Sequence, residues 1–303
     1  MPGQSYSGRT LIILNPAAGQ EDAARTRRLL GGAFAARGAA FDLVETSAAG
    51  DAAELARQAV ELGYRAVAAA GGDGTIAEVI TGLAGSEVPL GIIPRGTGNQ
   101  LAGNLGVPVN LERAVEVVVG RRTIPLDLGQ LEGGRYFALM AGAGWDAQVM
   151  SAATRPLKER WGFGAYFYAG LRASLSLPST SFRITADGEE FEVRAASVIV
   201  ANVGQLVYSL LPLELRIGPG VSFHDGRLDV CVFAPRTITG AAAILWRVMR
   251  RRYVGDDRLI YLQASEIRID ADPPALTQVD GDLAGPTPLI ARAVKAGVRV
   301  LVP

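Results

Sequence analysis

Residues Ala66-Val-Ala-Ala-Ala70-Gly71-Gly72-Asp73-Gly74-Thr75-Ile-Ala-Glu78 pass from a short apolar run, through three glycines around one aspartate, into a segment with helical spacing that continues to Leu83. A short apolar run bounded by glycine reads as a buried strand, and apolar residues recurring every three to four positions read as an amphipathic helix. Glycines at such a turn let the backbone come close to an anion, while the helix start offers free N–H groups and the positive end of a dipole. Beside a phosphate, Asp73 is useful when Mg2+ lies between the two negative groups; as a plain turn, Asp73 and Thr75 would cap the helix.

The same alternation extends on both sides. Leu11–Leu14, Phe41–Val44, Ala66–Ala70 and Leu90–Ile93 predict buried parallel strands, and Ala23–Phe34, Asp51–Leu62 and Thr75–Leu83 predict the helices between them. Strand and helix in alternation imply a doubly wound α/β sheet, in which ligands bind beyond the carboxyl ends of the strands. Two more glycine-containing turns fall at that edge, Asn15-Pro-Ala-Ala-Gly19 after the first strand and Pro94-Arg-Gly-Thr97-Gly-Asn99 after Leu90–Ile93. Three such turns at one edge point to a polyphosphate site. Arg95 is either a phosphate partner or a solvated loop arginine. Thr46, just after the second strand, either binds phosphate through its hydroxyl or caps a turn.

Beyond Asp127 the texture becomes that of strands and turns. Phe182-Arg-Ile-Thr-Ala and Glu190-Phe-Glu-Val-Arg flank Asp187-Gly188, the signature of a two-residue hairpin turn. Tyr136–Ala141, Ser197–Asn202, Leu228–Phe233, Leu259–Leu262 and Ile267–Ala271 are further strand candidates, so an antiparallel β-sandwich is expected, interrupted by helices over Pro156–Leu175 and Ile238–Tyr253. The expected organisation is an N-terminal α/β nucleotide-binding domain over residues 1–128, to which a strand at 289–303 returns, and a C-terminal β-sandwich domain over residues 129–288.

Composition removes several classes. The 303 residues carry 30 basic and 30 acidic side chains, so no globally basic nucleic-acid binder is expected. The only lysines are Lys158 and Lys295, far from the glycine turns, which excludes a lysine-dependent phosphate loop. Cys231 is the single cysteine and reads as a buried strand residue; His224, the single histidine, reads as a solvated turn residue. No apolar run approaches the roughly 20 residues that span a bilayer, and no secretory signal is read at Met1–Arg9.

With Asn15-Pro-Ala-Ala-Gly19, Gly71-Gly-Asp-Gly-Thr75 plus Glu78, Pro94-Arg-Gly-Thr-Gly-Asn99, Asp127-Leu-Gly129, Asp225-Gly-Arg-Leu-Asp229 and Val279-Asp-Gly-Asp282 in this order, the sequence resembles the diacylglycerol kinase catalytic family, which includes bacterial lipid kinases and sphingosine kinases. The resemblance covers nearly the whole chain. It implies an ATP-dependent kinase acting on a lipid hydroxyl, with Asn15, Gly19, Thr46, Gly71, Gly72, Asp73, Gly74, Thr75, Glu78 and Thr97 at the nucleotide. It further implies Asp282 as the base for the lipid hydroxyl, Asp127 joining Asp73 in a Mg2+ and water network, and a structural Mg2+ at Ser222, Asp225 and the carbonyl of Arg227. Three departures stand out: Gln100 where many bacterial members carry aspartate, Asp282 where glutamate is usual, and Ala77 where asparagine is frequent. Sphingosine kinases also lack an acidic residue at the first of these positions.

The expected partner is a lipid substrate at the membrane surface, with a homodimer as a further option and no nucleic acid. The expected location is cytoplasmic, peripheral at the inner membrane face. Trp161–Tyr168, rich in aromatics, suits a lipid pocket or a helix core, and Trp246–Tyr253, with four arginines, suits a membrane face or a solvated helix end. The competing readings are an NAD kinase, which shares the Gly-Gly-Asp-Gly-Thr loop, and a catalytically weak, nucleotide-regulated lipid-binding protein.

Overall fold

The computed structural model describes residues 6–19, 22–145, 179–203, 222–235, 237–250 and 257–303, together with 147, 252 and 255. The expected helix at Pro156–Leu175 and the aromatic stretch Trp161–Tyr168 lie outside the described residues. The chain forms two compact units, Met1–Leu126 with Ala296–Pro303, and Asp127–Lys295.

In the first unit β1 (Thr10–Leu14), α1 (Ala23–Ala35), β2 (Phe41–Glu45), α2 (Asp51–Glu61), β3 (Ala66–Gly71), α3 (Asp73–Leu83), β4 (Leu90–Pro94), α4 (Gln100–Asn104) and α5 (Leu111–Val119) follow one another. The strands run parallel in the order β2-β1-β3-β4, and the end of a long strand, β16 (Leu289–Leu301), continues the sheet with Val300 opposite Leu90. β1, β3 and β4 are buried along their whole length, which is why they read as unbroken apolar runs. Each fully buried isoleucine among them, such as Ile12, Ile13, Ile92 and Ile93, contributes about 1.5–3 kcal/mol. α1 packs with α5 and α2 with α3. The second pair sits tightly, because a Cβ on Gly82 would lie 2.6 Å from the Cβ of Ala56. Chain order reverses between β1 and β3, which makes their carboxyl ends the topological switch point where α/β sheets bind ligands.

The second unit contains β5 from Asp127 onward (the whole strand is Thr123–Leu131), then β6 (Tyr136–Phe137), β7 (Met140–Gly144), β8 (Thr180–Ala186), β9 (Glu189–Ala195), β10 (Ser197–Ala201) and β11 (Leu228–Phe233). α6 (Ile238–Met249), β12 (Leu259–Ala264), β13 (Glu266–Asp272), β14 (Leu276–Val279) and β15 (Asp282–Pro286) lead into β16. One antiparallel sheet has the order β12-β11-β10-β7-β14-β15. A second places the first half of β16 beside β13, β8 and β9. Alternate residues of both, including Phe182, Ile184, Val198, Val200, Val230, Val232, Ile267 and Ile269, form one core, the expected sandwich. Asp187 and Gly188 both have positive φ, 47° and 89°, as the two-residue turn between β8 and β9 demands.

Two local expectations are corrected. The strand expected over Tyr136–Ala141 is broken into β6 and β7, because the N–H groups of Ala138, Leu139 and Met140 donate to the carboxylate of Asp280 instead of to a neighbouring strand. The helix expected over Ile238–Tyr253 ends at Met249. Asp280–Asp282 form a tight hairpin, β14 to β15, turning on Asp280 (φ 49°) and Gly281 (φ 91°). Cys231 is buried in β11, and burial pushes its thiol up; His224 is exposed, edge-on to Phe223.

Candidate active site

In the first unit, the three glycine turns interlock. β3 delivers Gly71 and Gly72 to the start of α3, where Asp73 occupies the first turn and Thr75 is buried. The amide of Asn15 donates to Thr75 Oγ1 at 3.0 Å, and its own Oδ1 accepts the N–H of Ala17 at 2.9 Å, so Asn15 ties the first turn to the second and closes itself. Arg95 N–H donates to the Gly71 carbonyl at 2.9 Å, joining the second turn to the third. Gly96 and Gly72 face each other so closely that a Cβ on Gly96 would stand 2.7 Å from Gly72 Cα. Gly19, at φ 86°, lies against Arg95, whose carbonyl oxygen would be 2.8 Å from a Cβ there. The third turn is closed by Asn99, whose Oδ1 accepts the Gly96 N–H at 2.9 Å while its amide donates to the Gly96 carbonyl at 2.7 Å.

Gly74 differs from these. Among the described residues a Cβ there meets no atom within 4 Å beyond its chain neighbours and its own helix backbone, and its φ lies outside the left-handed range. Glycine inside a helix is destabilising by about 0.5–1 kcal/mol relative to alanine, so neither packing nor backbone geometry accounts for it. The open space over Gly74, at a helix start and at the switch point, fits an anion that approaches the backbone.

Asp73 precedes Gly74 in the first turn of α3, and its carboxylate lies against the third turn, where a Cβ on Gly98 would stand 2.9 Å from Oδ2. Burial pushes its carboxyl above the usual range, opposed by backbone N–H groups from Leu101, Gln100 and Asn99, the first at 3.4 Å. A divalent cation alongside would favour the ionised form, and in that electrostatic sense Asp73 fits Mg2+. Of the other expected nucleotide residues, Thr97 is exposed on the third turn, and Thr46 is half-buried, its N–H donating to the Leu14 carbonyl at the carboxyl end of β1. Glu78 is one turn deeper in α3 and accepts the N–H of Ala52 at 3.2 Å. Its carboxylate therefore braces the first turn of α2, where negative charge is favourable.

In the second unit, the structure joins two groups of residues that the motifs present separately. Asp127 is buried on β5, and its Oδ2 accepts the Gly226 N–H at 2.6 Å. Its backbone N–H donates to Phe223, and its carbonyl accepts the Asn202 amide at 2.6 Å. Asp127 thus pins the turn that holds Ser222, Asp225 and Arg227. Within this turn Asp225 Oδ1 accepts the Arg227 N–H at 3.0 Å and Ser222 Oγ accepts the His224 N–H at 3.4 Å. Mg2+ at this turn would take one carboxylate, one hydroxyl and one carbonyl, with water completing the shell it prefers. Among the described residues no three of His, Cys, Asp and Glu cluster for a metal.

Asp282 opens β15 with its side chain exposed and 3.2 Å from Arg135. Asp280, two residues earlier, is the opposite: half-buried, its carboxylate taken up by three backbone N–H donors at 2.9–3.0 Å. Burial pushes its carboxyl up to about 6, with those donors and Arg135 opposing. Asn202, Arg135 and Asp280 are the supporting residues that no motif reading assigned. The signal for Asn202 is a lone amide ending the apolar run Ser197–Ala201; for Asp280 it is the Asp-Gly pair, which marks a hairpin turn.

A phosphate-type turn cluster at the switch point of a doubly wound unit, followed in the chain by an antiparallel sandwich, fits a kinase of two units. Residues 9–131 match the model of the diacylglycerol kinase catalytic domain, and residues 140–302 match that of the YegS C-terminal NAD kinase beta sandwich-like domain. A Mycobacterium tuberculosis diacylglycerol kinase is 31% identical over 98% of this chain and 96% of its own, and one from Bacillus subtilis is 29% identical over 92% and 91%. The crystal structure of a Bacillus anthracis str. Sterne protein, proposed to be a diacylglycerol kinase, superposes with a TM-score of 0.80 at 26% identity, covering 98% of this chain and 97% of that one. The chain belongs to the diacylglycerol kinase family and is a lipid kinase. Among its described residues, no helix is long and apolar enough to cross a membrane.

Proposed function

We propose that the chain transfers the γ-phosphoryl group of ATP to the free hydroxyl of a membrane lipid, a diacylglycerol or a sphingoid base. The observation that carries the nucleotide reading is the open space over Gly74, next to Asp73, in a turn that Asn15 ties to the first glycine turn through Thr75 and Arg95 ties to the third through Gly71. The N–H groups of that helix start bind and orient phosphate oxygens. Asn15 and Thr75 act on the loops, holding two of them in register, and Glu78 fixes the helix behind them. Mg2+, when bound, would neutralise charge on the phosphates, and Asp73 is the carboxylate at these turns that would hold it or its waters. Asp282 takes the proton of the lipid hydroxyl, and Arg135 orients that carboxylate through their 3.2 Å ion pair.

The test is incubation of the purified chain with γ-labelled ATP against diacylglycerol, sphingosine, phosphatidylglycerol and NAD, with and without EDTA. Label on a lipid, lost with EDTA, is expected. Label on NAD alone, or nucleotide binding with no transfer to any lipid, would reject the reading.

A further inference from the structure

α6 has two unlike faces. Ile244 and Val248 are buried and pack with Leu259 and Phe233. Trp246 and Arg250, four residues apart, stand about 160° or more around the helix from Val248, on the side away from that core. Trp246 is 55% exposed, and among the described residues it is the one aromatic in the set of exposed large hydrophobic side chains. The Arg250 guanidinium lies 4.6 Å from the centre of the Trp246 ring. Beyond the helix the Arg252 N–H donates to the Arg247 carbonyl at 2.9 Å, and the Arg252 side chain is exposed. The helix itself contains no acidic residue.

An indole on a surface exposes apolar area that water disfavours, yet its amphipathic ring is well placed at the headgroup level of a bilayer. Arginines beside it match the charge of anionic lipid phosphates, and a guanidinium stacked on the ring keeps its edge N–H groups directed outward for oxygen acceptors. A lipid kinase meets its substrate in a bilayer, so a surface with this chemistry on its own lipid-handling chain has a natural occupant. We propose that the C-terminal end of α6 docks the enzyme on anionic bilayers, with Trp246 in the headgroup zone and Arg250 and Arg252 on lipid phosphates. Docking rests on the reading of a bilayer-borne substrate, but it involves none of the residues assigned to the reaction.

The experiment is co-sedimentation of the full chain, without nucleotide, on vesicles of phosphatidylcholine alone and of phosphatidylcholine mixed with phosphatidylglycerol. Arg250→Ala with Arg252→Ala should weaken partition onto the mixed vesicles by about five-fold per arginine. Arg250→Lys with Arg252→Lys should retain most of it, and Trp246→Ala should lose partition while keeping the wild-type thermal transition. Rates on detergent-dispersed diacylglycerol should match wild type for all variants. Equal binding of wild type to neutral and anionic vesicles, or wild-type binding by the double alanine variant, overturns the proposal. So does a change in oligomeric state by sedimentation in these variants with vesicle binding untouched, which would make a second copy the occupant. Absence of lipid phosphorylation in every sample would refute the reaction instead, because sedimentation requires no turnover.

Discussion

Gly74→Ala should raise the stability of the first unit and weaken nucleotide binding at the same time. Among the described residues the added methyl meets no atom within 4 Å beyond its chain neighbours and its own helix backbone, so it enters open space in the free chain. Replacing a helical glycine by alanine then contributes about 0.5–1 kcal/mol, or a rise of roughly 2–4 °C in Tm. The same methyl stands where a phosphate oxygen must approach the backbone. Displacing that oxygen removes at least one charge-assisted hydrogen bond, worth about 1.5–3 kcal/mol, which corresponds to about 10- to 150-fold in Kd. Differential scanning calorimetry and titration calorimetry with a non-hydrolysable ATP analogue and Mg2+ read the two effects separately. Gly96→Ala is the control of opposite sign in stability, because its methyl would stand 2.7 Å from Gly72 Cα and should destabilise by about 1–3 kcal/mol. If Gly74→Ala binds the analogue as tightly as wild type, the space over Gly74 is not the phosphate site.

Asp73→Asn should abolish turnover with the thermal transition kept or slightly raised, since burial disfavours the charge it removes; near-normal turnover would leave Asp73 as a helix-start residue only. Asp282→Asn should lower kcat by about 10²-fold or more with the ATP KM little changed, measured on mixed micelles, and a retained rate would move the base elsewhere. Asp280→Asn should instead act through the fold, because an amide keeps the bonds from Leu139 and Met140 but sets an N–H group against that of Ala138, a loss of about 1–3 kcal/mol visible in urea unfolding. Asp280 also predicts a pH dependence. Its carboxyl is raised from 3.8 to about 6 in the folded chain, so the fold holds a proton that the unfolded chain releases, and stability from this group grows as pH falls from about 6 towards 3.8, by up to about 3 kcal/mol. Above about pH 6 that contribution is gone, and the wild-type minus Asp280→Asn difference in unfolding free energy should show the slope; a flat difference would mean that the three N–H donors keep Asp280 ionised throughout.

Much of this protein is legible along the chain because its signals are local. The unbroken apolar runs of β1, β3 and β4 mark strands buried on both faces, and the glycine turns that follow them mark the edge where anions bind. Asp187-Gly188 and its flanking alternation give the β8–β9 hairpin because turn chemistry and pleat period are properties of adjacent residues. The roles of Glu78, Asp127 and Asp280 could not be read in this way. Glu78 belongs to a glycine motif, yet its carboxylate is on Ala52, 26 residues earlier. Asp127 meets Gly226 across 99 positions, and Asp280 splits a strand 140 positions before it by taking three of its N–H groups. In each case a carboxylate satisfies backbone donors that only the folded chain brings within 3.2 Å, and no periodicity records such a pairing. The sequence alone therefore determined the layers, the binding edge and the chemistry of the residues placed there. The tertiary structure decided which of those residues face open space, as Gly74 does, and which are bound into holding the backbone, because hydrogen-bond satisfaction on burial is settled by three-dimensional neighbours rather than by position in the chain.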